Sequence, residues 1–164
     1  MSKILFLLRH AKSSWKDLSC SDHDRTLNKR GLRDAPQMAQ WMLDNGHQPE
    51  WMICSTATRT QATAEALEKV FAQSIPLQLE NRLYMAGPGT LLQCIASQAP
   101  NSSNAIAVGH NPGLEEVAHR LTGAAVRIPT ATLVSIELPI ESWSELSLET
   151  QGHLNFVMRP KMLA

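Results

Sequence analysis

The sequence predicts an α/β domain whose largely parallel sheet is covered by helices on both faces. Three observations predict it. Apolar runs alternate with segments of helical spacing along most of the chain. The first run, Ile4-Leu5-Phe6-Leu7-Leu8, is unbroken, as a strand buried on both faces is. The last third carries paired strand signals around a proline turn, which places an antiparallel edge on the sheet.

The elements follow in order. Lys3–Leu8 is the first strand, and the polar stretch Ser13–Thr26 is a loop. Asn28 is a fair N-cap for a helix from Lys29 to about Asn45, where Leu32, Ala35, Ala39 and Met42 recur at helical spacing and Gly46 ends it. Trp51–Cys54 is a second strand. Thr58–Ala72 is a second helix, with Ala62, Ala66 and Val70 on one stripe. Pro76 breaks the chain before a weak strand at Leu77–Leu79. Gly87-Pro88-Gly89 opens a helix over Thr90–Gln98, and Ala105–Val108 is a buried strand. Pro112 starts a helix to about Leu121, with Gly123 after it. Thr132–Leu138 and Glu145–Thr150 form the antiparallel pair, and Asn155–Val157 is a last short strand.

Composition narrows the function. The 164 residues suit one domain, spanning 1–164, with a core of its own. Lysine plus arginine equal aspartate plus glutamate at 15 each, so no basic face is available for nucleic acid. An anionic ligand must therefore be held by local charge. Cys20, Cys54 and Cys94 are odd in number and widely spaced, which fits neither a disulfide framework nor a zinc cluster and accords with a reducing cytoplasm. The N-terminal apolar run is too short for a signal peptide, and no stretch approaches membrane-spanning length.

In open α/β sheets ligands bind beyond the carboxyl ends of the strands. There the first strand runs into Arg9-His10, the second into Ser55 and then Arg59, and the fourth into Gly109-His110. Two arginines and two histidines distant in sequence converge on one sheet edge. Phosphoryl transfer suits them. Arginine offers a planar, permanently charged fork that matches phosphoryl oxygens. The starts of the Arg59 and Pro112 helices add backbone N–H groups. One neutral histidine can attack phosphorus, and the other can hydrogen-bond the group in transit.

These residues resemble a family. Leu8-Arg9-His10-Ala11 is similar to the R-H-G signature of the histidine phosphatase superfamily, the phosphoglycerate-mutase-like enzymes. Ser55 through Arg59 resembles its second motif and Gly109-His110 its third. Asp24-Arg25-Thr26-Leu27, followed by Gly31, resembles a segment of the small bacterial phosphohistidine phosphatases. The resemblance implies a three-layer α/β/α sandwich without a lid insertion and without metal or organic cofactor. It implies His10 as the phosphorylated nucleophile. Arg9, Arg59 and His110 would complete a phosphate pocket that phosphate or sulfate could also occupy. The implied substrate is phosphohistidine in a protein. The alternatives are a phosphatase of small phosphomonoesters, a mutase, or a phosphoprotein-binding module with little turnover. Ala11, Thr26 and Ala62 depart from the glycine, proline and glutamine of many relatives. So does Arg82-Leu83-Tyr84-Met85-Ala86, which lacks the carboxylate general acid found there in many; Glu80 is near but out of register.

Other candidates weigh less. Arg25 either lines the pocket mouth, as a substrate-binding residue, or pairs with Asp22 or Asp24. His23, His47, His119 and His153 read as surface or local structural residues, and none has metal-ligand spacing. Lys29, Arg30 and Arg33 read as a solvated helix face. Trp15, Trp41, Trp51 and Trp143 read as core or rim, with Trp15 placed to border a substrate.

Overall fold

The computed structural model describes residues 2–71 and 73–163. Strands and helices alternate as β1 (Lys3–Arg9), α1 (Lys29–Asp44), β2 (Met52–Ser55), α2 (Thr58–Val70), β3 (Leu77–Glu80), α3 (Pro88–Gln98), β4 (Asn104–Gly109), α4 (Gly113–Thr122), β5 (Leu133–Leu138) and β6 (His153–Met158). The sheet order is β3-β2-β4-β1-β5-β6. The first four of these are mutually parallel, and β5 runs antiparallel to both β1 and β6.

Alternation along the central strands builds three layers. Phe6 and Leu8 of β1 pack with Met38, Ala39 and Met42 of α1 and Ala64 and Leu67 of α2. Leu5 and Leu7 face the other way, onto Leu92 and Ile95 of α3 and Leu114, Val117 and Leu121 of α4. Each fully buried Leu or Ile contributes about 1.5–3 kcal/mol, so both faces of β1 reward the same register. Among the described residues no helix is long and apolar enough to cross a membrane. Cys20, Cys54 and Cys94 are free thiols.

The helix ends obey local chemistry. Asn28 caps α1 through Oδ1, which accepts from Gly31 N–H at 2.9 Å. Gly123 closes α4 at φ 76°, a left-handed conformation glycine adopts without strain. Gly31 is required for a different reason. A Cβ there would collide with the carbonyl oxygen of Lys12, which accepts from Asn28 N–H. The start of α1 thus rests directly on the loop after His10. Gly31→Ala is expected to destabilise the fold by roughly 1–3 kcal/mol, an overpacking cost read as a fall in Tm.

Three sequence expectations need correction. Leu32 is 63% exposed, and the buried stripe of α1 is Ala35, Met38, Ala39 and Met42. In α2 the buried residues are Arg59, Thr60, Thr63, Ala64 and Leu67, while Ala62 and Ala66 lie partly buried beside Leu27 and Ala35. The threonines enter the core because their hydroxyls are satisfied. Thr60 Oγ1 donates to the carbonyl oxygens of Ser55 and Ala57 at 2.8 Å, and Thr63 Oγ1 to that of Arg59 at 2.8 Å. The expected helix end, Ala72, lies outside the described residues. Finally, Glu145–Thr150 is not a strand. Ser142 and Glu145 form a capping box around a 3-10 turn, Trp143–Glu145, and Leu146 and Leu148 pack onto the α3–α4 core. The partner of β5 is β6, which takes in the expected Asn155–Val157 strand.

Candidate active site

Strand register explains why the site residues meet. Arg9 at the end of β1 is level with Gly109 at the end of β4, and His10 N–H donates to the Gly109 carbonyl at 3.1 Å. The residues that follow, His10 and His110, are therefore neighbours, with ring centroids 5.3 Å apart. β2 lies on the other side of β4, so Ser55 ends beside His110. Arg59 sits in the first turn of the next helix, on its buried face. Arg9, His10, Arg25, Arg59 and His110 all line one cavity of about 300 Å³. A cavity of similar size at the start of α4, bordered by Glu116 and Arg127, gathers no comparable set.

The two histidines are neutral for a physical reason. His10 is 6% exposed, and burial drives its pKa down to about 3 against the pull of its bond to the Ala11 carbonyl. Burial, then the Arg59 charge, lowers His110 to about 4. His10 Nδ1 lies 2.8 Å from the Ala11 carbonyl oxygen, which only accepts. The proton therefore sits on Nδ1, and Nε2 presents a lone pair. Arg59 Nε–H approaches that lone pair at 3.4 Å. These shifts carry a stability prediction. An unfolded histidine takes a proton below about pH 6.5, whereas the native pair resists until pH 3 to 4. The unfolded chain binds more protons in that window, so stability should fall as pH falls through it. Tm measured from pH 7.5 to 4.5 should decline, and less steeply in His10→Asn and His110→Asn; equal slopes in all three would contradict the assignment.

Arg59 is the hub. It is 4% exposed, and its Nη1 donates to the Asp22 carbonyl oxygen at 2.7 Å while Nη2 meets Asp22 Oδ2 at 3.2 Å. Nη2 also lies 3.5 Å from His110 Nδ1. Asp22 Oδ2 accepts from the Tyr84 hydroxyl as well, and Oδ1 accepts from Arg25 Nε at 3.1 Å. Hydrogen bonding from Tyr84, then the charge of Arg59, holds the Asp22 carboxyl down to about 2 despite burial. Arg25 pairs with Asp22 and also lies in the cavity lining. Its guanidinium carbon stands 3.5 Å over the ring of Trp15, which is 66% exposed at the mouth. Arg9 Nη1 reaches the Ile128 carbonyl at 3.3 Å, while its buried Nε has no partner among the described residues.

The sequence offers Asp22 only as a partner for Arg25 and gives no role to Tyr84 or to the hydroxyl of Ser55. Tyr84 stands where many relatives carry a carboxylate, and its ring edges onto both His110 and His23. Glu80 is tied to Arg82 and Gln98, outside the cavity lining. Ala62 packs away from the cavity too. Among the described residues no cluster of three or more His, Cys, Asp or Glu side chains is arranged to hold a metal ion.

Comparison with known proteins places this geometry. The description of the histidine phosphatase superfamily, branch 1, matches residues 5–86, half of the chain. The chain belongs to that superfamily. An uncharacterized chloroplastic protein of Arabidopsis thaliana is 35% identical over 154 residues, covering 88% of this chain and 71% of that one. The structure of a protein provisionally named phosphohistidine phosphatase SixA, from Nakamurella multipartitia, superposes with TM-score 0.84 at 25% identity, covering 98% of this chain and 97% of that one. The protein histidine phosphatase SixA in complex with tungstate shares the fold, with TM-score 0.84 at 19% identity over 98% of this chain and 99% of that one. The expected three-layer, phosphoglycerate-mutase-like α/β fold is thus the fold of this superfamily member.

Proposed function

We propose that this phosphatase-family chain removes the phosphoryl group from phosphohistidine carried on a protein, through a covalent intermediate on His10. The observation that carries the mechanism is the 2.8 Å contact of His10 Nδ1 with the Ala11 carbonyl oxygen, which calls for the proton on Nδ1 and leaves the Nε2 lone pair facing the cavity beside Arg59. In the first step a bond forms from Nε2 to phosphorus, and the bond from phosphorus to the substrate imidazole breaks. The leaving imidazole takes its proton from solvent. Water then attacks the phosphohistidine, releasing phosphate and restoring His10. Arg9, Arg59 and Arg25 take the oxygens' charge, and His110 hydrogen-bonds the group in transit.

Two features support the substrate class. Asp22, the one carboxylate among the lining residues described, is ionised and engaged by Tyr84, Arg25 and Arg59. It has no proton to give an alkoxide, and expelling an alkoxide calls for an acid. An imidazole leaving group, with a basicity near neutral pH, does not need one. The mouth is also flanked by Trp15 and Met85, 66% and 67% exposed. An apolar rim fits a folded protein surface better than a sugar phosphate. The connection from β3 to β4 holds α3 with little over, which supports a domain without a covering insertion.

The test is a substrate panel. Appreciable turnover is expected on a phosphohistidine-bearing protein, weak hydrolysis on aryl phosphates, and almost none on alkyl phosphates. Efficient cleavage of a sugar or glycerate phosphate, with no action on phosphohistidine, would reverse the assignment. Tight vanadate binding with no turnover on any substrate would leave a binding module.

A further inference from the structure

Ser55 ends β2 and is wholly buried. Its Oγ has two polar neighbours among the described residues. It accepts the Ala57 N–H at 3.3 Å, and it lies 2.8 Å from His110 Nε2. Two proton arrangements satisfy the second contact. In one, His110 carries its proton on Nε2 and donates to Ser55. The serine oxygen then accepts twice, and its own hydrogen has no acceptor in a place closed to solvent. A buried donor left unsatisfied costs about 1–3 kcal/mol. In the other, the Ser55 hydroxyl donates to Nε2, and every group at this contact is paired. The imidazole proton then moves to Nδ1.

The second arrangement gives up little. Its cost is the contact between His110 Nδ1 and Arg59 Nη2, which at 3.5 Å is at the outer limit of a hydrogen bond. With the proton on Nδ1 both atoms are donors, facing each other across a gap. One phosphoryl oxygen lying between them would accept from both.

We propose that Ser55 is a positioning residue that holds His110 in its Nδ1–H tautomer and so makes that ring a hydrogen-bond donor toward the transferring phosphoryl group; this rests on the phosphoryl-transfer reading of the cavity. The two histidines are then locked by opposite ends. His10 has Nδ1–H tied to the Ala11 carbonyl and offers a lone pair at Nε2. His110 has Nε2 tied to Ser55 and offers N–H at Nδ1. Only this pairing gives one nucleophile and one donor across rings 5.3 Å apart. The opposite tautomer of His110 would aim a lone pair at an anionic oxygen.

The direct test is a two-bond proton–nitrogen correlation spectrum of nitrogen-15 histidine-labelled protein at pH 7, with the His110 ring assigned by its loss in His110→Asn. Wild type should show His110 protonated at Nδ1 and bare at Nε2. Ser55→Ala should lose that signature and lower kcat roughly ten- to a hundredfold, short of the 10²–10³ that deleting a transition-state donor costs, since the ring still visits the right tautomer. KM should change far less. Ser55→Thr, which keeps the hydroxyl, should restore the signature and part of the rate. A wild-type ring protonated at Nε2 overturns the proposal whether or not Ser55→Ala folds, and leaves the phosphatase reading standing. So does an unchanged ring in folded Ser55→Ala. Conversely, an Nδ1–H ring in a protein inert on the whole substrate panel would sink the phosphatase reading and the catalytic purpose of the tautomer with it.

Discussion

His10→Ala is expected to abolish turnover, by roughly four orders of magnitude or more, while leaving the protein folded. The size follows from what is lost. Without an Nε2 lone pair no bond to phosphorus forms, and the arginines can only bind. The fold should persist because the side chain's polar contacts are local. They reach the Ala11 carbonyl and Arg59 Nε, whereas the link from β1 to β4 here is the backbone bond from His10 N–H to Gly109. Removing a histidine that resists protonation should even flatten the acid loss of stability. The measurement is turnover of a phosphohistidine-bearing protein beside a thermal melt, with a quench of wild type to capture an acid-labile phosphoryl group on His10. Near-normal turnover by folded His10→Ala would rule out the covalent route.

Much of this site was legible because strand ends are legible. A buried parallel strand is an unbroken apolar run, so the charged residues that stop it, Arg9-His10 and Gly109-His110, mark the carboxyl edge. Arg59 was legible by its place after Ser55. Asp22 was not. It lies in a polar loop without periodicity, and only the folded chain brings it to Arg59, Arg25 and Tyr84. The stripe of α2 was misread because hydropathy counts threonine as polar, and the bonds from Thr60 and Thr63 to backbone carbonyls appear only once the helix is built. Alternating leucines misled in the same way at 145–150: Leu146 and Leu148 look like a strand face but cover the core from an irregular segment.

Arg59→Lys should be nearly as damaging as Arg59→Ala, each costing at least about 10²–10³ in turnover and weakening vanadate or phosphate binding. All three guanidinium nitrogens are placed. Nε points to His10 Nε2, Nη1 to the Asp22 carbonyl, and Nη2 to the gap between Asp22 and His110. An ammonium is one compact point charge on a shorter, flexible stem and cannot reproduce the planar fork in three fixed directions. It could satisfy Asp22 or a phosphoryl oxygen, but not both while keeping its place beside the nucleophile. Asp22 sharpens the effect, because a carboxylate that lost the planar fork would face an incoming phosphoryl group with less of its charge neutralised. Arg25→Ala should cost less, since that guanidinium meets Asp22 and Ser13 and stacks on Trp15 at the mouth rather than reaching the histidines. Vanadate inhibition measured with kcat and KM for wild type, Arg59→Lys, Arg59→Ala and Arg25→Ala separates these roles. Arg59→Lys matching wild type in both binding and kcat would mean that charge alone suffices, and that the fork geometry beside His10 has no part in the reaction.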